Sequence, residues 1–388
     1  MTLKLPVYMD YHATTPVDPR VFDAMYPYFS QEFGNASSID HIFGARAHEA
    51  VEMAREQVAS CINAKPEEII FTSGATESDN IALLGVAERM ATRGDHIITC
   101  ATEHKAVLDT ANHLERIGKT VTYLPVDRYG LVNPDEVEEA ITDRTILISV
   151  MAANNEIGTL APLKEIGIVA KANGVLFHTD AAQAVGHIPL DVKEMGIDLL
   201  SLSGHKVYGP KGIGALYIGG ANPKRKVSPV MFGGGHERGL RSGTYNVPGI
   251  VGLGKALEIA QKEMKVENGR FRKWTKQMFE SFKDEIEGVT LNGHPEKRLA
   301  HNLNVCFPGI EGKALTHLLR TDVAISTGSA CTTSSVEPSH VLKAIGLDES
   351  NIFSAVRFGL GRFNTEEEIE HCINMVISCS KTLRRISD

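Results

Sequence analysis

Lys206 stands in SLSGHKVYGPKG, residues 201–212, a stretch of small and polar side chains too rich in glycine for a comfortable helix or a long strand. One ammonium group held between turns is what a Schiff-base lysine needs, namely a fixed place and partial removal from water. Other polar groups fall at the ends of apolar runs that read as strands. Asp180 in FHTDAAQ could pair with a pyridinium nitrogen and keep it protonated. Gln183, expected in the first turn of a following helix, could donate to the ring oxygen. His104, just beyond IITCATE, could stack on an aromatic ring. SGATES, with Gly74, Ala75 and Thr76, reads as a strand-to-helix junction whose free amides and hydroxyl could hold a phosphate. Ser203 and His205 are further candidate phosphate ligands, and Asn155 in NNEIG lies at another strand end. Taken singly, each is equally well a cap or a surface residue. Together they describe an anchor and cradle for pyridoxal 5'-phosphate.

Positioning such a set requires a scaffold of strand ends. From Glu68 to about Ile218 short apolar runs alternate with helix-like stretches: EIIFTSG, DHIITCATEH, VTYLPVD, TILISVMAANNEIG, VLFHTDAAQ, IDLLSLSGHK and IGALYIGG. This alternation predicts an α/β fold with a mostly parallel seven-stranded sheet covered on both faces, and ligands bind beyond the carboxyl ends of such strands. After the Gly-rich MFGGGHERGLRSGT, the segment from about Val251 to Glu287 is helical in character, and short strands and helices alternate from there to the C-terminal helix. The expected organisation is a large cofactor domain over 16–255 and a smaller α+β domain formed by 1–15 and 256–388. The arm DYHATTPVD is too short and turn-rich to form a core alone and is expected to pack between them.

Composition narrows the function classes. The 388-residue chain is 43% hydrophobic and 23% charged, as a globular protein is, and its net charge of −8 argues against a dedicated nucleic-acid binder. No run approaches the length of a membrane helix, and MTLKLPVYMDYHATT lacks a secretory signal, so a cytoplasmic protein is expected. There is no GxGxxG fingerprint, Walker A sequence or HExxH, and GIEGKAL reads as a helix start. Cys61, Cys100, Cys306, Cys331, Cys372 and Cys379 form neither a CxxC pair nor a regular framework, so no metal site is expected, and four or five of them should be small buried hydrophobes.

Several of these segments, with TEHKAV, STGSACTTSSVEPSHVLKA and VRFGLGRF, resemble the motifs of the NifS/IscS group of cysteine desulfurases, within the fold-type I pyridoxal phosphate enzymes. The resemblance runs in register from about Val7 to the final helix. It implies that Lys206 is the Schiff-base lysine, that Asp180 and Gln183 contact the ring, that His104 stacks on it, and that Thr76, Ser203 and His205 bind phosphate. It also implies that Arg357 and Asn155 hold the carboxylate of L-cysteine, and that Thr244 in RSGT reaches the phosphate of a neighbouring subunit in a homodimer.

Cys331 lies among small, hydroxylated residues that offer little to a core, so an accessible thiol is expected there. The resemblance makes it the sulfur acceptor and gives the segment the class I form. The implied reaction has Lys206 move the α-proton of L-cysteine, Cys331 take the sulfur as a persulfide, and L-alanine leave. A selenocysteine lyase or an aminotransferase would share most of this set. Two departures stand out. Gly359 replaces the family's common serine beside Arg357, which is expected to loosen the substrate pocket, and KTLRRISD ends the chain soon after the last helix, where many IscS-type members carry a longer segment that helps hold the iron–sulfur scaffold protein. Delivery to a scaffold is thus expected on the resemblance alone.

Overall fold

A computed structural model describes residues 3–220, 222, 224, 226–327 and 338–387. The chain opens with β1 (Val7–Tyr8), α1 (Pro19–Met25), α2 (Pro27–Ser30) and α3 (Ile42–Cys61). The central sheet is built from β2 (Ile69–Thr72), β3 (His96–Cys100), β4 (Thr120–Leu124), β5 (Thr145–Ser149), β6 (Leu176–Asp180), β7 (Leu199–Ser203) and β8 (Gly214–Ile218). Its order is β2-β8-β7-β6-β5-β3-β4, with β8 antiparallel to both neighbours and every other pairing parallel. The helices α4 (Ala75–Arg89), α5 (Lys105–Arg116), α6 (Pro134–Glu139) and α7 (Leu163–Ala172) connect the strands. Seven runs were expected as strands, and these are the seven. They are legible because both faces are covered, which leaves β2, β3, β5, β7 and β8 buried at every position.

The 39-residue α8 (Val247–Glu285) follows as one continuous helix. Its first half, through Leu253, Leu257 and Ile259, packs in the sheet's core, and its second half, through Phe271, Trp274 and Phe282, packs in a separate core. That second core covers β9 (Thr290–Leu291), β10 (Asn302–Cys306), α9 (Gly312–Leu319), β11 (Val323–Ala324), β12 (Ala355–Gly359) and α12 (Glu366–Ser387), while α10 (His340–Ala344) and α11 (Glu349–Ser354) pack with Ile157 and Cys306 in a small cluster of their own. Here β12, β10 and β9 form an antiparallel sheet, and β1 pairs with β11. The N-terminal arm crosses between the two cores: Gly359 donates to the Met9 carbonyl at 2.8 Å, and Thr15 donates to that of His205 at 2.9 Å.

One local expectation fails. No helix follows β6, and Ala181–Gln183 form a turn, because Gln183 is drawn to the arm, where its amide donates to the His12 carbonyl at 3.0 Å. The Gly-rich segment before α8 is not hairpin-like. Its one bridge, Met231 to Arg241, is parallel, and Glu237 is pulled inward to pair with Arg55 at 2.9 Å and accept from the Phe71 amide at 2.8 Å. Among the described residues no helix is long and apolar enough to cross a membrane.

Candidate active site

A cavity of about 1220 Å³ opens at the carboxyl ends of the sheet strands. Gly74, Ala75 and Thr76 enter it after β2, His104 after β3, Asn155 after β5, Asp180 and Gln183 from β6, and Ser203, His205 and Lys206 from β7; Arg357 of β12 closes the far side. Thr244 does not join this set, being exposed and outside the cavity of its own chain. Cys331 lies outside the described residues.

The β2–α4 junction is shaped for an anion. Gly74 has φ +151°, a conformation that a side chain disfavours, and it turns the first amides of α4 into the cavity, where a helix start carries partial positive charge. The hydroxyls of Thr76 and Ser203 have no hydrogen-bond partner among the described residues. His205, bonded through Nδ1 to Thr14 Oγ1 at 3.1 Å, is pushed down to about 4 by burial and then by Lys206 and Lys211, so it is neutral.

Lys206 sits in a short helical turn after β7, and its amine donates to the carbonyls of His12 and Ala13. Burial first, and Arg357 second, bring it down to about 8, against the opposing pull of Asp180 and Asp10. Asp180 accepts from the Ala182 amide at 2.8 Å, and burial raises its carboxyl. Behind it lie two acids that sequence reading passed over. Asp79 is fully buried, 3.6 Å from His178 Nε2, and Glu103 accepts from the Met151 amide at 2.5 Å. Burial, and then the carboxylate of Asp180, push both well up into the neutral form. That leaves Asp180 as the acid of this group that faces the cavity.

His104 caps α5, its Nδ1 accepting from the Ala106 amide at 3.1 Å, which puts the proton of the neutral ring on Nε2. Arg357 donates to Asp10 Oδ1 at 2.8 Å and to the Asn155 carbonyl at 2.9 Å, and its buried Nε has no partner among the described residues. Asp10 was not expected; it occupies part of the guanidinium fork. Gly359 lies against the arm. A Cβ there would meet His12 Cδ2 at 2.8 Å and His12 N at 2.9 Å, so the glycine lets the arm pack close.

Residues 7–372 match the class-V aminotransferase family. The cysteine desulfurase IscS of Anaeromyxobacter dehalogenans (strain 2CP-C) is 52% identical over 385 residues, covering 99% of this chain and 95% of that protein. The chain belongs to the cysteine desulfurases of the NifS/IscS group. The cysteine desulfurase IscS of Rickettsia bellii (strain OSU 85-389) is 49% identical over 99% of this chain and 93% of its own. Among solved structures, a NifS-like protein superposes with a TM-score of 0.89 at 38% identity, over 96% of this chain and 98% of that one. SspA in complex with cysteine does so with 0.81 at 41%, over 92% and 100%. The desulfurase therefore has the fold-type I architecture, and pyridoxal phosphate is its cofactor. The residues present fit that group. Unpartnered hydroxyls surround a helix start, one carboxylate faces the cavity from a dry floor, and Gln183 keeps an amide hydrogen beyond the one given to His12.

Proposed function

We propose that this cavity is where L-cysteine is converted to L-alanine, the sulfur leaving as a persulfide. The observation that carries the reading is the meeting of a partly buried lysine amine, a buried carboxylate and an arginine in one cavity at the strand ends. Pyridoxal phosphate, when bound, supplies an electron-accepting ring that weakens bonds to the substrate's Cα. The first-turn amides of α4, with Thr76, Ser203 and His205, are assigned to its phosphate. Asp180 is assigned to the ring nitrogen, Gln183 to the ring oxygen and His104 to the ring face.

Lys206 Nζ is assigned to hold the cofactor at rest and, once free, to move the α-proton. Arg357 and Asn155 fix the substrate carboxylate, which turns the Cα–H bond toward Nζ. Cys331, as thiolate, attacks the cysteine sulfur: an S–S bond forms, the Cβ–S bond breaks, and its electron pair stays with carbon, which is protonated and leaves as alanine. The described cysteines support this assignment by contrast, since burial raises Cys61 to about 11 and Cys100 to about 12, and raises Cys306, Cys372 and Cys379 as well. A homodimer with Thr244 reaching the neighbour's phosphate, a cytoplasmic location, and delivery to an iron–sulfur scaffold protein or another acceptor complete the reading. Its test is the product formed from L-cysteine with a thiol reductant. Alanine with sulfide is expected; pyruvate with ammonia would replace desulfuration by β-elimination.

A further inference from the structure

Three buried histidines from distant parts of the chain form one column. His12, in the N-terminal arm, stacks on His301 with 4.5 Å between centroids and 23° between planes, and His301 stacks on His187 at 4.2 Å and 30°. All are shielded from solvent, at 1%, 3% and 7% exposure respectively for His12, His301 and His187. Phe271 of α8 lies against His301 at 5.9 Å. A ring nitrogen is a costly filling for a dry core unless it is partnered, and Nδ1 of His301 has no partner among the described residues.

The two ends of the column do have partners, and both lead to Lys206. His187 Nε2 lies 3.0 Å from the carbonyl oxygen of Lys206; a carbonyl only accepts, so this nitrogen carries the proton. His12 Nδ1 lies 3.0 Å from Gln183 Oε1, and Asn302 Nδ2 lies 3.1 Å from His12 Nε2. The Gln183 amide group donates to the His12 carbonyl, so Oε1 is the acceptor, His12 is protonated at Nδ1, and Asn302 donates to its bare Nε2. The same His12 carbonyl accepts from Lys206 Nζ. One end therefore holds the lysine's backbone and the other its amine. Gly359 makes the seat of His12 possible, because its missing side chain would overlap the ring.

These bonds need neutral rings. Arg357 and Lys206 face His12, Arg362 and Glu267 face His187, and His301 faces the other two. Burial is the first cause in each case and lowers all three imidazoles.

We propose that the His12–His301–His187 column positions the amine of Lys206, and that His301 couples the two ends of that hold although it makes no hydrogen bond to the lysine itself. The inference rests on reading Lys206 as the reacting amine. Without the central ring, His12 and His187 lose their common support and the amine its fixed direction.

The test uses the holoenzyme and compares His301→Ala, which removes the central ring, with His301→Phe, which keeps a ring. Positioning predicts that His301→Ala moves the midpoint of the cofactor's spectrophotometric pH titration by at least about 0.5 unit. It also predicts that kcat falls about tenfold or more with KM changed less, and that His301→Phe recovers both. A lower Tm in His301→Ala, with midpoint and kcat at wild-type values, would reduce the column to packing and overturn the proposal. Should His301→Ala not fold, His187→Gln keeps a donor for the Lys206 carbonyl and His187→Leu does not; midpoints equal to wild type in both would overturn it equally. Borohydride reduction and peptide mapping separate the two levels. A cofactor adduct on another lysine sinks the reading of the site, whereas an adduct on Lys206 with an unmoved midpoint sinks the column alone.

Discussion

Burial brings Lys206 to about 8, so at neutral pH roughly one amine in ten is unprotonated, against fewer than about one in a thousand for an ordinary lysine. Lys206→Ala should therefore stop turnover, while the phosphate and ring contacts on other strands retain cofactor, as absorbance after gel filtration will show. Cys331→Ser should likewise keep its cofactor, staying yellow while alanine production falls by about 10²-fold or more, because a hydroxyl cannot take up the sulfur. Mass spectrometry after brief exposure to L-cysteine should find one added sulfur on the Cys331 peptide, and that sulfur on another cysteine would move the acceptor role. Glu156, next to Asn155, offers a test of charge. It is raised to about 7 by burial, against Ser339 and Arg357, which lower it. The folded state thus prefers the neutral acid, and ionisation costs stability increasingly as pH rises from the unfolded value near 4.3 to about 7, at about 1.4 kcal/mol per unit. Glu156→Gln removes this cost. Its advantage over wild type in urea unfolding should grow across that window and level off above it, and a flat difference would show that Glu156 is not the titrating group.

At the scale of elements, the strands and the β2–α4 junction were legible because they are local: an apolar run, a small-residue turn, then a helix. Gly74 is the sharpest case, since φ +151° with ψ 178° is comfortable only for glycine. Gly74→Ala should strain the turn by about 1–3 kcal/mol and weaken cofactor retention by about tenfold or more, read as the Kd for pyridoxal phosphate, with the overall fold unchanged by circular dichroism. Retention equal to wild type would mean that the phosphate does not sit on this turn. What sequence reading missed depends on chain-distant contacts. The helix expected after Asp180 is a turn because Gln183 bonds to His12, 171 positions away. Asp10 and His12 carry no motif of their own, and only the crossing of the arm brings them to Arg357 and Lys206. Glu103 lies inside a motif that was read for other residues and Asp79 just beyond one, and their burial gives no sign in a linear sequence.

At the scale of the molecule, the surface carries apolar side chains that its own cores do not use. Phe22, Tyr26, Phe29, Phe33, Ile42 and Phe43, on α1, α2, the start of α3 and the loop between, are each at least 46% exposed, and the rings of Phe33 and Phe43 lie 5.6 Å apart. A concentration of exposed aromatic area is a feature of surfaces that another protein covers. Thr244 is likewise exposed and outside its own cavity, where a residue completing a neighbour's phosphate site would have to be. Both observations fit the proposed homodimer. Replacing Phe29 and Phe33 together by glutamate puts like charges into this surface, and desolvating unpaired carboxylates opposes association without disturbing either buried core. Sedimentation at assay concentration should show wild-type dimer and mostly monomer for the double variant, and activity should fall with the dimer fraction as the neighbour's Thr244 is withdrawn. If the variant is a monomer with full activity and full cofactor retention, each chain holds a complete site and the shared-site reading is wrong. If it remains a dimer, the interface lies on another face, and a Thr244→Ala chain with unchanged cofactor affinity would then remove the remaining support for a site shared between subunits.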